Sequence, residues 1–209
     1  MHMHRRQFLR GGAVILGGTL LGLTTAELVS GAGGESFNGS PDGRFPNIVL
    51  RGHDGRDYRF YDDLIRDKIV MINFFFTGCG DICPLSTQHL VEAQGMLGDR
   101  VGHDIFMYSI TLNPELDTEP VIKDYMETYG VGPGWLFLRA SKNDTEMLRR
   151  SLGFVDPNPE LDADLETHIG IVKFGNDAIG RWGACPSFAD AEEIVAGVRT
   201  LDPVKKVGA

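Results

Sequence analysis

Two cysteines near the middle of the chain, Cys79 and Cys83, are separated by three residues. A continuous β-branched and aromatic run at residues 69–76 precedes them and predicts a strand buried on both faces. Pro84 is tolerated only in the first turn of a helix, so a helix is predicted to begin near Cys83 or Pro84. Free backbone N–H groups at that terminus favour a thiolate at Cys83. The pair therefore indicates thiol redox chemistry or a metal site, because a structural disulfide closing so short a loop saves little chain entropy.

His168 is the candidate third ligand, 85 residues after Cys83. Taken alone, a histidine before a strand is more often a structural residue, since spacing does not establish proximity. Two thiolates and one imidazole suit copper, because soft sulfur binds Cu(I) and nitrogen helps to hold Cu(II). A structural zinc site usually has a fourth protein ligand, and none is evident here.

The net charge and the number of cysteines exclude some classes of protein. The 209 residues carry a formal net charge of −9, which argues against nucleic-acid binding. The three cysteines are too few for a disulfide framework. The third, Cys185, is interpreted as a free thiol, with a redox-partner role as the alternative.

The N-terminus predicts export. Arg5 and Arg6 precede a glycine-rich, moderately apolar run, which is typical of a twin-arginine signal over residues 1–32. Cleavage is expected after Ala26 or Ala32, and a retained membrane anchor is the alternative. Residues 33–44 form a predicted linker and residues 45–209 the working domain, which we expect in the periplasm.

The remaining pattern alternates strands and helices with a hairpin near each end. Asp54 and Gly55 favour the turn of the first hairpin, between residues 48–51 and 57–60. Further strands are predicted at 105–111 and 135–139, helices at 118–129, 143–152 and 190–201, and a late hairpin over 168–182. Val121 and Met147 are among the side chains expected to face inward. The fold class is therefore α/β, a three-layer thioredoxin-like fold with a central sheet.

An acidic stretch at residues 155–167 is predicted to be a long loop, and loops of this length are often functional. Its acidic residues form either a solvated surface or a docking surface for a basic partner; they are Asp156, Glu160, Asp162, Asp164 and Glu166. The histidines His53, His89 and His103 show no ligand spacing and are interpreted as structural or surface residues.

The order of these motifs resembles the Sco/SenC family over roughly residues 45–201. The resemblance rests on T-G-Cys79-G-D-I-Cys83-Pro84, T-L-N-P-E-L-D-T at 111–118, Y-x-x-x-Y-G ending at Gly130, and His168 followed by Gly180. It implies an exported, usually membrane-tethered thioredoxin-like protein that binds copper through Cys79, Cys83 and His168. It also implies copper delivery to the dinuclear site of cytochrome c oxidase subunit II.

The sequence departs from the family pattern around these ligands. Gly78 and Gly80 replace the usual His and Pro beside the first cysteine, while Asp81 is kept. Asn113 and Leu116 replace an acid and a base, and Thr167 and Ile169 replace an Asp and a Ser beside the histidine. Groups around the ligands tune affinity and orient the histidine, so these changes bear on the target enzyme.

The expected function is a non-enzymatic copper metallochaperone. The alternative is a periplasmic thiol–disulfide oxidoreductase, in which Cys79 and Cys83 are the catalytic pair that reduces cysteines of the copper-accepting protein. A peroxidase-like thiol enzyme ranks last, because no basic residue stands beside Cys79 to activate peroxide.

Overall fold

The computed structural model describes residues 39–80, 82–164 and 170–203. The predicted signal (1–32), most of the linker, Asp81, Thr167, His168 and Ile169 lie outside the described residues. The strands are β1 (Val49–Gly52), β2 (Asp57–Arg59), β3 (Ile69–Phe75), β4 (Ile105–Thr111), β5 (Trp135–Arg139), β6 (Ile171–Asn176) and β7 (Arg181–Pro186). The helices are α1 (Ile82–Leu97), α2 (Glu119–Tyr129), α3 (Lys142–Ser151), α4 (Pro159–Asp162) and α5 (Ala191–Arg199).

The strands form one sheet in the order β2-β1-β5-β4-β3-β6-β7. β3, β4 and β5 are parallel, and the other pairs are antiparallel. Every residue of β3 is buried, as its continuous apolar run predicts. The predicted α/β thioredoxin-like fold with a hairpin near each end is therefore confirmed.

Successive side chains of β3 pack on opposite faces of the sheet. Phe75 contacts the rings of Tyr125 in α2 and Phe137 in β5, at centroid distances of 5.5 and 5.0 Å. Phe74 contacts Phe154, which follows α3, at 4.8 Å on the other face. The sheet therefore lies between two layers, and α2 covers the face that also carries Phe75.

Two inward-facing predictions are wrong. Val121 in α2 and Met147 in α3 are 40% and 48% exposed. In α3 the buried positions are instead Thr145, Leu148 and Arg149. The sequence pattern could not reveal this, because a buried arginine is recognised only through its partners.

The acidic stretch is not a continuous loop. It contains the short helix α4, whose Asp162 accepts hydrogen bonds from the guanidinium groups of Arg149 at 2.7 and 3.0 Å and of Arg150 at 2.7 Å. Arg149 is 2% exposed and also bonds to Glu146. Asp162 is thus bound within the domain and does not present a free carboxylate to a partner.

Within the described ranges, no helix is long and apolar enough to cross a membrane.

Because Arg149 is buried and Arg150 is exposed, we expect substitutions at these two positions to lower the free energy of unfolding by different amounts. Arg149→Met removes a buried guanidinium that bonds to Asp162, Glu146 and the Phe154 carbonyl, so we expect a loss of about 3 kcal/mol in the free energy of unfolding, measured by urea denaturation. Arg150 contacts the same carboxylates from an exposed position, and Arg150→Met is expected to cost less than about 1 kcal/mol. Equal losses for the two variants would contradict this assignment.

Candidate metal and thiol site

The two cysteines lie at the junction of β3 and α1. Cys79 belongs to the loop after β3, and Cys83 lies in the first described turn of α1, as the sequence predicts. Their side chains are 8% and 2% exposed, and both are free thiols. The backbone N–H of Cys83 donates to Sγ of Cys79 at 3.4 Å. The fold therefore brings the two sulfur-bearing residues together beneath the surface.

The protonation of Cys83 differs from the expectation. The pKa of the Cys83 thiol is raised to about 12, chiefly by burial; the Phe76 backbone N–H opposes this shift, and the neighbouring Cys79 and Asp117 add to it. The helix N-terminal N–H is directed to the sulfur of Cys79 and not to that of Cys83. Burial outweighs the helix dipole at Cys83, so this thiol keeps its proton at neutral pH.

A buried carboxylate fixes the start of the cysteine loop. Asp117 is 1% exposed and accepts the backbone N–H of Thr77 at 3.2 Å and its hydroxyl at 2.5 Å. It also accepts the hydroxyl of Thr111, the last residue of β4. Asn113 donates its backbone N–H to the Thr111 hydroxyl at 2.9 Å. One side chain thus joins the carboxyl ends of two parallel strands to the residue that enters the loop.

The loop itself packs loosely. A Cβ atom added at Gly80 would meet no atom within 4 Å, and one at Gly78 would meet only the ring of Phe76 at 3.9 Å. Neither glycine is needed for a positive φ angle. Larger side chains would therefore fit at both positions, and neither packing nor backbone conformation requires glycine there.

A second buried hydroxyl lies at the other end of the loop. The Tyr125 hydroxyl donates to the carbonyl oxygen of Cys83 at 3.4 Å and lies 2.7 Å from Oγ1 of Thr87. Sequence reasoning assigned no role to Asp117 or Tyr125. Asp117 lies in the motif T-L-N-P-E-L-D-T, and Tyr125 lies in the motif Y-x-x-x-Y-G. Their place in these motifs was the only feature of the sequence that could have marked them as functional.

The third predicted ligand, His168, lies outside the described residues, but the strand that follows it is described. β6 pairs with β3, with Val172 opposite Asn73, so the start of β6 lies beside the end of β3. The Ser187 backbone N–H donates to the Gly170 carbonyl at 3.0 Å, and the Ser187 hydroxyl lies 2.6 Å from that of Ser86 in α1. Gly170 is therefore linked to the helix turn that follows Cys83.

Cys185, interpreted as a free thiol, and the histidines interpreted as structural lie in other parts of the fold. Cys185 lies in β7, and burial raises the pKa of its thiol to about 11, with a further contribution from Glu193. His53 bonds to Phe137 in β5, and His89 to the Ala189 carbonyl. Over the described part of the chain, no group of three or more His, Cys, Asp or Glu side chains forms a metal site. The described residues thus bring two cysteine sulfurs together at this site.

Comparison with known proteins gives a consistent result. The family model SCO1/SenC matches residues 50–163, more than half of the chain. An SCO2-like protein of Rickettsia felis is 34% identical over 70 residues, 34% of each chain. A protein of Stutzerimonas stutzeri named as copper-binding is 28% identical over 120 residues, 56% of this chain and 57% of that one. The chain thus matches only about a third to just over half of the length of these curated relatives.

Among solved structures, the copper-bound ScoI of Arabidopsis thaliana superposes with a TM-score of 0.56. It is 20% identical, and the match covers 73% of this chain and 94% of that one. At this identity the similarity establishes the fold.

The raised pKa of Cys83 predicts its reactivity. With iodoacetamide between pH 7 and 10.5, the alkylation rate of Cys83 should rise about tenfold per pH unit throughout, because its thiolate fraction is about a thousandfold below that of an ordinary thiol. Mass spectrometry reads each cysteine separately, and the slope with pH distinguishes protonation from simple inaccessibility. A rate that levels off near pH 9 would show that Cys83 has an ordinary pKa.

Proposed function

Because this chain belongs to the SCO1/SenC family, we propose that it is an exported copper metallochaperone that carries one copper ion and passes it to a copper enzyme. The observation that carries the proposal is the pair of buried free thiols, with the N–H of Cys83 on the sulfur of Cys79. The copper ion is the cargo of this protein, and Cys79, Cys83 and His168 are its proposed ligands.

The donor set fits copper. Cys79 and Cys83 supply soft sulfur, which favours Cu(I), and an imidazole nitrogen adds a ligand that tolerates Cu(II). The surrounding core, including Phe75 and Tyr125, keeps water from the inner side of the pair. A soft ion bound by few ligands at the surface end of a buried site can be transferred by stepwise ligand exchange.

The assignment of His168 is supported by the strand that follows it. The chain from His168 to Gly170 spans at most about 7 Å. Gly170 is linked through Ser187 to the second turn of α1, and β6 starts beside the end of β3. These contacts support a histidine within reach of the thiols.

Loading must remove a proton from Cys83. A metal-bound cysteine is a thiolate, and burial holds the pKa of this thiol at about 12. Copper binding at neutral pH therefore competes with the proton, and affinity rises with pH. The buried neutral thiol also leaves the empty site uncharged at Cys83, which costs little inside the core.

The location and recipient are inferred from the sequence. The N-terminal twin-arginine pattern supports export to the periplasm, with cleavage or membrane anchoring as the two outcomes for residues 1–32. The family resemblance supports cytochrome c oxidase subunit II as the recipient. Residues 45–209 form the proposed working domain.

A thiol–disulfide oxidoreductase is the second candidate, favoured by the proximity of the two thiols. In that reaction one cysteine attacks a target disulfide and the other resolves the mixed disulfide. The raised pKa of Cys83 assigns the attack to Cys79, because the neutral thiol is a poor nucleophile.

Copper titration of the reduced domain tests the proposal. Competition against a Cu(I) chelator should give a one-to-one complex, and His168→Ala should weaken it at least tenfold because one of three ligands is lost. Cys79→Ser and Cys83→Ser should each weaken it further, since a hydroxyl is a poor ligand for Cu(I).

His103→Ala is the matched control, because His103 is exposed and lies in the turn before β4. It should bind copper as the parent does. Parent-like binding by His168→Ala would remove His168 from the ligand set. Parent-like binding by both cysteine variants would refute the chaperone proposal, and the reduction potential of the pair would then decide for the oxidoreductase.

A further inference from the structure

Tyr125 is a buried tyrosine beneath the cysteine pair that the proposed copper chemistry does not use. It projects from α2, is 8% exposed, and its ring packs against Phe75, Tyr129 and Phe137 at centroid distances of 5.5, 4.6 and 6.2 Å. This aromatic packing fixes the ring. The position of its hydroxyl is thereby set by the sheet and not by the cysteine loop.

The Tyr125 hydroxyl forms hydrogen bonds within the first two turns of α1. It contacts Oγ1 of Thr87 at 2.7 Å and the Cys83 carbonyl at 3.4 Å. Thr87 lies one helical turn after Cys83, so both contacts fall on the same face of the helix. Apart from Cys79 itself, no other side chain in the described ranges hydrogen-bonds to the main chain of Cys83.

Side chains hold both described ends of the cysteine loop. Asp117 holds Thr77, two residues before Cys79, while a Cβ atom added at Gly80, just after Cys79, would meet no atom within 4 Å. Two side-chain attachments therefore help to set the separation of the two sulfurs. Asp117 fixes the entry to the loop, and Tyr125 fixes its exit.

We propose that Tyr125 is a positioning residue for the thiol pair. Through its hydrogen bonds to Cys83 and Thr87 it fixes the first turns of α1 and so holds Cys83 at a distance from which both sulfurs reach one partner. For copper this inference rests on the proposed function. For disulfide formation it rests only on the pair itself.

Both reactions of the pair need this geometry. Two sulfurs share one copper ion only if they are held near each other. Oxidation by oxidised dithiothreitol breaks two S–H bonds and forms one S–S bond, and the two electrons and two protons convert the reagent's disulfide to a dithiol. Loosening Cys83 lowers the effective concentration of one thiol at the other, so both equilibria weaken.

The test compares Tyr125→Phe with Tyr129→Phe. The first keeps the ring and removes the hydroxyl. The second removes a hydroxyl from the adjacent ring of the same cluster, and that hydroxyl has no hydrogen bond to any part of the described structure. Two quantities are measured for each: Cu(I) affinity by chelator competition, and the disulfide equilibrium of Cys79 and Cys83 against dithiothreitol.

We expect Tyr125→Phe to lower both constants at least fivefold, with unchanged far-UV circular dichroism, and Tyr129→Phe to stay within twofold of the parent. Thr87→Val tests the same hydrogen bond from its other side, because it removes the hydroxyl that pairs with Tyr125 without enlarging the side chain. It should lower both constants in the parent and have no added effect in Tyr125→Phe, since the two hydroxyls act as one unit.

The results separate the two proposals. Parent-like constants in Tyr125→Phe, or equal losses in Tyr129→Phe, overturn the positioning role. If the parent itself does not bind copper while Tyr125→Phe still shifts the disulfide equilibrium, the copper function fails and the positioning role stands. If Tyr125→Phe does not fold, Thr87→Val decides alone: a loss in both constants beside parent-like Tyr129→Phe supports the positioning role, and parent-like constants in Thr87→Val overturn it.

Discussion

The hydrogen bonds of Asp117 are the constraint on which the site depends. A carboxylate that is 1% exposed must be satisfied by donors, and here the donors are the main chain and hydroxyl of Thr77 and the hydroxyl of Thr111. Thr111 is the last residue of β4, and Thr77 lies two residues after the end of β3. The carboxylate therefore closes the carboxyl edge of the sheet at the point where the cysteine loop leaves it. Tyr125 performs the corresponding task at the other end of the loop.

This arrangement explains how a loop with two glycines carries a defined thiol pair. Gly80 has open space around it, and the described ends of the loop are held from outside, by a carboxylate before α2 and a hydroxyl within it. Burial then keeps Cys83 protonated and avoids a charge in the core. Both proposed reactions of the pair, copper binding and disulfide formation, must remove this proton from Cys83.

The sequence predicted the elements that follow from continuous patterns. β3, β4 and β5 were identified because parallel strands buried on both faces are uninterrupted apolar runs, and Pro84 placed the start of α1. The failures have physical causes. Arg149 occupies a buried helical position where hydrophobic periodicity predicts an apolar residue. Its hydrogen bonds to Asp162 attach the acidic stretch to α3, although the sequence of that stretch is typical of a long loop. The motifs around Asp117 and Tyr125 marked these residues but not their contacts, which join segments about 40 residues apart.

The central claim is that the junction of β3 and α1 holds one copper ion between two sulfurs. X-ray absorption at the copper edge of the Cu(I)-loaded domain tests it most directly, because the method reports the atoms bound to the metal. We expect two sulfur ligands and one nitrogen ligand around a single copper ion, with one sulfur ligand lost in Cys83→Ser. A copper ion surrounded only by nitrogen and oxygen, or a parent spectrum unchanged by Cys83→Ser, would contradict it.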